Sequence, residues 1–344
     1  MKKKILKIIG LIFASILVVM IGIVINYLSG AIIFGGRLSS DYNRPTIQPC
    51  NQWHKDFAFA DLREDKEDHT FSVRNCEDSK KIPRREHFVI NKLGQKILYV
   101  EFEQDNVEDK PIWLHVHGIT NSFLHGVRYY DAANRLGFQL MAVELQNHGG
   151  SERHPNGSSW GCQEQWDIAA VLQDLQKRYP KKKILITATS MGTVSTSQAA
   201  MSSPENFANV RALVYESAFP NIKGVYEVIF LGMKLPQPGT LAEIMYGITN
   251  FLTTIRIGYD IHECLDKNKG KTFNIPTLVH MSKEEFHSTR SIEIGQDIPV
   301  SKESLAFKLL EKGSHSTYWN SNPYEFEADI KYFWQYLKLR PADK

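Results

Sequence analysis

The chain has 344 residues, room for one substantial domain. Its 41 lysines and arginines face 38 aspartates and glutamates, and four of those lysines, Lys2, Lys3, Lys4 and Lys7, crowd the N-terminus. Setting them aside leaves 37 basic against 38 acidic side chains, so there is no charge excess to support a nucleic-acid partner. Beyond the lysines, Ile8–Gly36 carries no charge, and Ile8–Ile25 is close to the ~20 apolar residues that cross a bilayer as a helix. Basic residues on the near side favour an N-terminus kept in the cytoplasm. Residues 1–36 are therefore expected to form a single-pass membrane anchor, with the bilayer as partner and the rest of the chain extracytoplasmic. A cleaved signal peptide ending near Ser29 and Ala31 is the alternative and would give a secreted protein, although the apolar run is long for one. Cys50, Cys76, Cys162 and Cys264 all lie beyond the anchor and would meet an oxidising compartment. Cys50 with Cys76 is the local disulfide candidate, and buried unpaired cysteines are the alternative.

Residues 37–84 read as a polar, irregular lead-in containing Pro45 and Pro49. From His87 the pattern becomes that of strands: His87–Ile90, Lys96–Phe102, Ile112–Val116, Gln139–Glu144, Lys183–Thr187, Ala212–Tyr215, Thr277–Met281 and Ala306–Leu310. Helical periodicity lies between several of them, including Gln163–Lys177, and Glu325–Leu337 follows the last. Strands alternating with helices predict an α/β sheet covered by helices. There is no internal repeat.

The chemically sharp segment is Ile184-Leu185-Ile186-Thr187-Ala188-Thr189-Ser190-Met191-Gly192. An apolar strand runs into a tight turn of small residues, and Thr193–Ala200 can begin a helix. Such a strand-turn-helix lifts a serine hydroxyl above the sheet edge, and the crowded backbone needs small neighbours. Gly192 meets that need; Ala188 stands where a glycine is usual. An ordinary helix-start serine is the plain alternative for Ser190. Upstream, Ile112–Val116 leads to His117-Gly118, and the backbone N–H of Ile119 can meet that of Met191 at a substrate carbonyl as an oxyanion hole. His117 and Gly118 would order that loop, or His117 would be a satisfied structural histidine.

These ordered elements resemble the α/β-hydrolase superfamily, in particular its esterase, lysophospholipase and serine-aminopeptidase-like branch, over residues 85–340. His117-Gly118 is similar to that family's oxyanion loop. Glu144-Leu145-Gln146-Asn147-His148-Gly149-Gly150-Ser151 is similar to its aspartate-arginine-glycine-histidine-glycine-x-serine turn, with glutamate, glutamine and asparagine in place of familiar members. The resemblance implies a mostly parallel eight-stranded sheet with a helical cap inserted at 219–270. It also implies a serine-acid-histidine triad. A neutral serine needs a base, and His315, in the loop after Ala306–Leu310, is the candidate. In similar hydrolases the acid stands nine positions after the proline opening the late strand, which from Pro276 gives Glu285, with Glu284 as the alternative. Glu216 and Ser217, at the strand exit before the cap, would contact substrate or bond within their loop.

Within the cap, the patches Tyr226–Met233 and Ile244–Leu252 can form short amphipathic helices that shape substrate access or simply pack. The expected reaction is hydrolysis of a carboxylic ester, a lipid or other small acyl ester, through an acyl-serine, and it calls for no cofactor and no metal. His115, His117, His148 and His154 form an alternative zinc set that lacks a local acidic member. A serine peptidase or amidase, or a silent membrane-associated binding module on the same scaffold, are the other readings.

Overall fold

A computed structural model of the chain describes residues 2–34, 76–119, 121–153, 157–221, 240–262, 267–285 and 288–339. Eight strands build one sheet: β1 (Arg84–Ile90), β2 (Lys96–Phe102), β3 (Ile112–Val116), β4 (Gln139–Val143), β5 (Ile184–Thr189), β6 (Val210–Glu216), β7 (Thr277–Ser282) and β8 (Leu305–Leu310). Their order is β1-β2-β4-β3-β5-β6-β7-β8. β2 runs antiparallel to β1 and β4, and every other neighbouring pair is parallel. β1 starts at Arg84 rather than at His87, because an edge strand needs only backbone pairing, which extends to Arg84 opposite Phe102.

The central strands β3, β4, β5 and β7 are buried along their whole length, which is why they read as apolar runs. Successive side chains still part to opposite faces. Ile112, Leu114, Val116, Ile184, Ile186 and Leu213 join one core, while Trp113, Leu185, Ala212 and Val214 join the other. Each large apolar side chain so removed from water contributes ~1.5–3 kcal/mol. The first core is closed by α3 (Gln165–Arg178), α4 (Met191–Ser202) and α6 (Ser288–Gln296); the second by α2 (Tyr130–Leu136) and α7 (Pro323–Leu339). Helices on both faces leave the carboxyl ends of the parallel strands as the open edge, where sites of such sheets form.

α1 (Lys2–Phe34) takes in the lysines as well as the apolar run, and over Ile9–Tyr27 it is long and apolar enough to cross a membrane. It packs beside α5 (Thr240–Ile257), a single helix that takes in the whole patch expected at Ile244–Leu252. The patch Tyr226–Met233, Cys50, Cys264 and His154 lie outside the described residues, as does the lead-in up to residue 75. The end of the lead-in is a short helical turn, Cys76–Lys81. Cys162 takes part in a disulfide, so the unpaired alternative does not apply to it.

Candidate active site

Ser190 sits on the turn between β5 and α4 with φ 53° and ψ −121°, a region that costs a side-chain-bearing residue ~1–3 kcal/mol. The surroundings hold it there. Its N–H donates to Glu216 O at 3.0 Å, its carbonyl accepts from Thr193 N–H at 2.9 Å and from the Thr193 hydroxyl at 2.7 Å. Gly192 is required by contact: a Cβ would lie 2.6 Å from Val116 O and 2.7 Å from His117 O. Ala188, inside β5, is fully buried, so its methyl is accommodated where the familiar turn has glycine.

The loop after β8 brings His315 over this turn. Ser190 Oγ–H donates to His315 Nε2 at 3.0 Å, and His315 Nδ1–H donates to Glu285 Oε1 at 2.8 Å. Glu285 follows β7, and its second oxygen accepts from the Tyr318 hydroxyl. Burial pushes the Glu285 carboxyl up, but the facing His315, with hydrogen bonds from His315, Tyr318 and Ser217, outweighs it and holds the group below its ordinary value. Burial likewise pushes His315 down, and the Glu285 charge and hydrogen bond reverse this, leaving the imidazole above its ordinary value. The neighbouring Glu284 points elsewhere: its Oε2 accepts the Gly313 N–H at 2.8 Å, tying down the histidine loop.

The second contribution comes from the β3 exit. A Cβ on Gly118 would lie 3.1 Å from Ser190 Cβ and 3.2 Å from Thr189 O, so the loop carrying Ile119 runs directly along the serine. Met191 opens α4, where helix geometry gives its N–H no intrahelical partner. His117 is fixed in one tautomer: Nδ1–H donates to Gly118 O at 2.7 Å, and Nε2 accepts Leu145 N–H at 3.0 Å. Of the zinc set, His115 bonds Thr187 and His125, while the His117 and His148 rings lie 4.8 Å apart. Among the described residues no cluster of three or more potential metal ligands occurs.

Glu216 and Ser217 bond within the loops rather than standing open. Glu216 Oε1 accepts Tyr318 N–H at 2.6 Å, and its Oε2 pairs with Arg128, which is wholly buried. Arg128 also donates to Ser316 O at 2.9 Å and Asn320 Oδ1 at 3.1 Å, while Ser217 Oγ accepts Ser316 N–H at 2.8 Å. The histidine loop is therefore clamped from the ends of β6 and β7 and from Arg128, at the end of the short helix Leu124–Val127. Arg128 and Tyr318 were beyond sequence reasoning: Tyr318 had a faint signal, three residues past His315, and Arg128 had none. In the turn after β4, Glu144 is fully buried and burial pushes its carboxyl up to about 8. Gly149, at φ +46°, makes room for it, since a Cβ there would lie 2.1 Å from Glu144 Oε2. The longer acid at this position is thus matched by the glycine opposite it.

No family model and no curated protein matches the chain in sequence. Solved structures do match in shape. The esterase Pf2001 of Pyrococcus furiosus aligns with a TM-score of 0.53 at 14% identity, covering 77% of this chain and 95% of that one. An epoxide hydrolase from Solanum tuberosum aligns with a TM-score of 0.51 at 13% identity, covering 74% of this chain and 100% of that one. The chain has the α/β-hydrolase fold. The esterase and the epoxide hydrolase differ in reaction, so the α/β-hydrolase fold alone does not choose a chemistry, and the choice falls to the side chains at the turn.

Proposed function

We propose that the protein is a membrane-anchored serine hydrolase that cleaves carboxylic esters, of lipids or other acyl compounds, through an acyl-serine intermediate. The observation that carries this reading is the unbroken chain from Ser190 Oγ through His315 to Glu285 at a strained turn above the sheet edge. In the proposed mechanism His315 Nε2 takes the Ser190 proton as Oγ attacks the ester carbonyl, and Glu285 stabilises the resulting imidazolium. The N–H groups of Ile119 and Met191 receive the oxyanion. Collapse breaks the carbon–oxygen bond to the alcohol, which leaves with the proton from His315; water, deprotonated by His315, then frees the acid and restores Ser190. His117 and Gly118 position the loop, and no cofactor enters any step.

The anchor reading rests on the apolar span of α1, on the lysines that precede that span and on the packing of α1 against α5, which supports a retained helix over a cleaved one. The Cys162 disulfide supports an extracytoplasmic domain. The test compares wild type with Ser190→Ala for labelling by a fluorophosphonate and for turnover of acyl esters and peptides. Ser190-dependent labelling with ester turnover is expected. Peptide cleavage without ester turnover would make the protein a peptidase, and loss of both in folded protein would make it a binding module.

A further inference from the structure

We propose that α5 is a second membrane-contacting element, whose outer face lies in the surface of the bilayer that α1 crosses. The inference rests on that reading of α1. Ile244, Ile248, Phe251 and Ile255 are 53, 41, 63 and 61% exposed, and they recur at i, i+4, i+7 and i+11, which makes one continuous stripe. From Ile244 to Ile255 the helix carries no charged residue; Glu243 and Arg256 flank the run. The opposite side is spoken for: Thr249 and Thr253 are buried, Ile257 joins the core, and the Tyr246 hydroxyl bonds His262 Nε2 at 2.8 Å. A helix with one side packed on protein and the other apolar and uncharged matches the pattern of an interfacial helix, with the protein body in place of the usual polar face.

The occupant follows from continuity. Ile25 and Ser29 of α1 are buried, whereas the preceding side chains Ile9–Val24 are exposed, and Arg256 donates to Asn26 Oδ1. These contacts fall at the C-terminal end of the apolar span Ile9–Tyr27, the level at which a crossing helix meets the headgroups. α5 is therefore fixed to the span where the bilayer surface must lie, and lipid is the apolar phase within reach of its stripe. The same arrangement joins the surface to the site. Ile257 of α5 shares a core with Met191 and Phe219, and the Phe219 ring lies 5.9 Å from that of His315.

The test uses the full chain in nanodiscs of phosphatidylcholine and phosphatidylglycerol, with a nitroxide on Phe251→Cys or on Tyr332→Cys; Tyr332 is exposed on α7, across the sheet. The label at 251 is expected to collide more with dissolved oxygen than with a water-soluble nickel chelate, and the label at 332 to do the reverse. Water-like accessibility at 251, or spin–spin coupling between labels at 251 on two copies, would overturn the proposal in favour of a solvent face or a dimer. In parallel, Ile248→Asn/Phe251→Asn should slow hydrolysis of a long-chain ester held in vesicles at least tenfold while leaving a soluble short-chain ester within twofold. Equal rates on the vesicle ester would also overturn it. If wild type turns over neither ester, the hydrolase reading fails, and the accessibility at 251 still decides the membrane contact.

Discussion

Replacing Glu285 with glutamine removes the charge facing His315 and keeps a group of the same length. In the wild type Oε1 accepts the Nδ1–H at 2.8 Å. The charge centres of such a pair lie about 4 Å apart, which at an effective dielectric of 20 corresponds to ~4 kcal/mol. That attraction favours the imidazolium formed as Ser190 is deprotonated, so its loss lowers kcat/KM by about 10³-fold, at a tenfold for every ~1.4 kcal/mol. The amide of glutamine can also donate to Nδ1 and hold the wrong tautomer, which acts in the same direction. The assay is hydrolysis of a soluble short-chain ester, with thermal melting to verify the fold. Glu284→Gln is the internal control, because Glu284 accepts from Gly313 N–H and does not touch His315 through any described bond; it should lose less than tenfold. A loss under tenfold in Glu285→Gln, or a greater loss in Glu284→Gln, would refute the assignment of the acid.

Because Glu285 holds the His315 imidazole above its ordinary value, kcat/KM should rise with pH through a value above that of free histidine, and in Glu285→Gln the residual activity should titrate at lower pH; an unmoved limb in a pH–rate profile would contradict the pairing. Arg128→Met leaves Glu216 buried without its cation and should destabilise the fold by ~3–5 kcal/mol in denaturant titration, far more than an exposed arginine would cost. Glu144 keeps its proton in the folded state up to about 8 but loses it lower in the unfolded chain, so the unfolded state binds fewer protons in between and stability falls as pH rises across that window. Glu144→Gln should therefore melt near wild type at pH 5 and higher than wild type at pH 8, by an amount on the order of a few kcal/mol.

How much could be read beforehand depended on whether the cause was local. The Ser190 turn was legible because an apolar strand, a run of small residues and a helix start follow one another within it. The fold was legible because buried parallel strands must be continuously apolar. Glu285 and Glu284 are adjacent in sequence, and only the turn after β7 sends one to His315 and the other to Gly313. The pairing of Arg128 with Glu216 left no mark, since it joins the end of a short helix to a strand exit far along the chain and Arg128 sits in no motif. The expected helix Ile244–Leu252 stops where Thr253 and Thr254 follow the apolar residues; the structure buries Thr253, and the helix runs from Thr240 to Ile257.

The clamp on the histidine loop has a bearing on how the chain is made. Arg128 and Ser217 emerge from the ribosome long before the Ser316 backbone that they bind. During synthesis the Ser190 turn can close on its own strand and helix, but the base reaches it only when the segment beyond β8 arrives and docks on the waiting arginine and serine. On the proposed function and membrane placement, the nascent protein would stay chemically inert until the last segment docks, and would become competent at the moment its fold is complete.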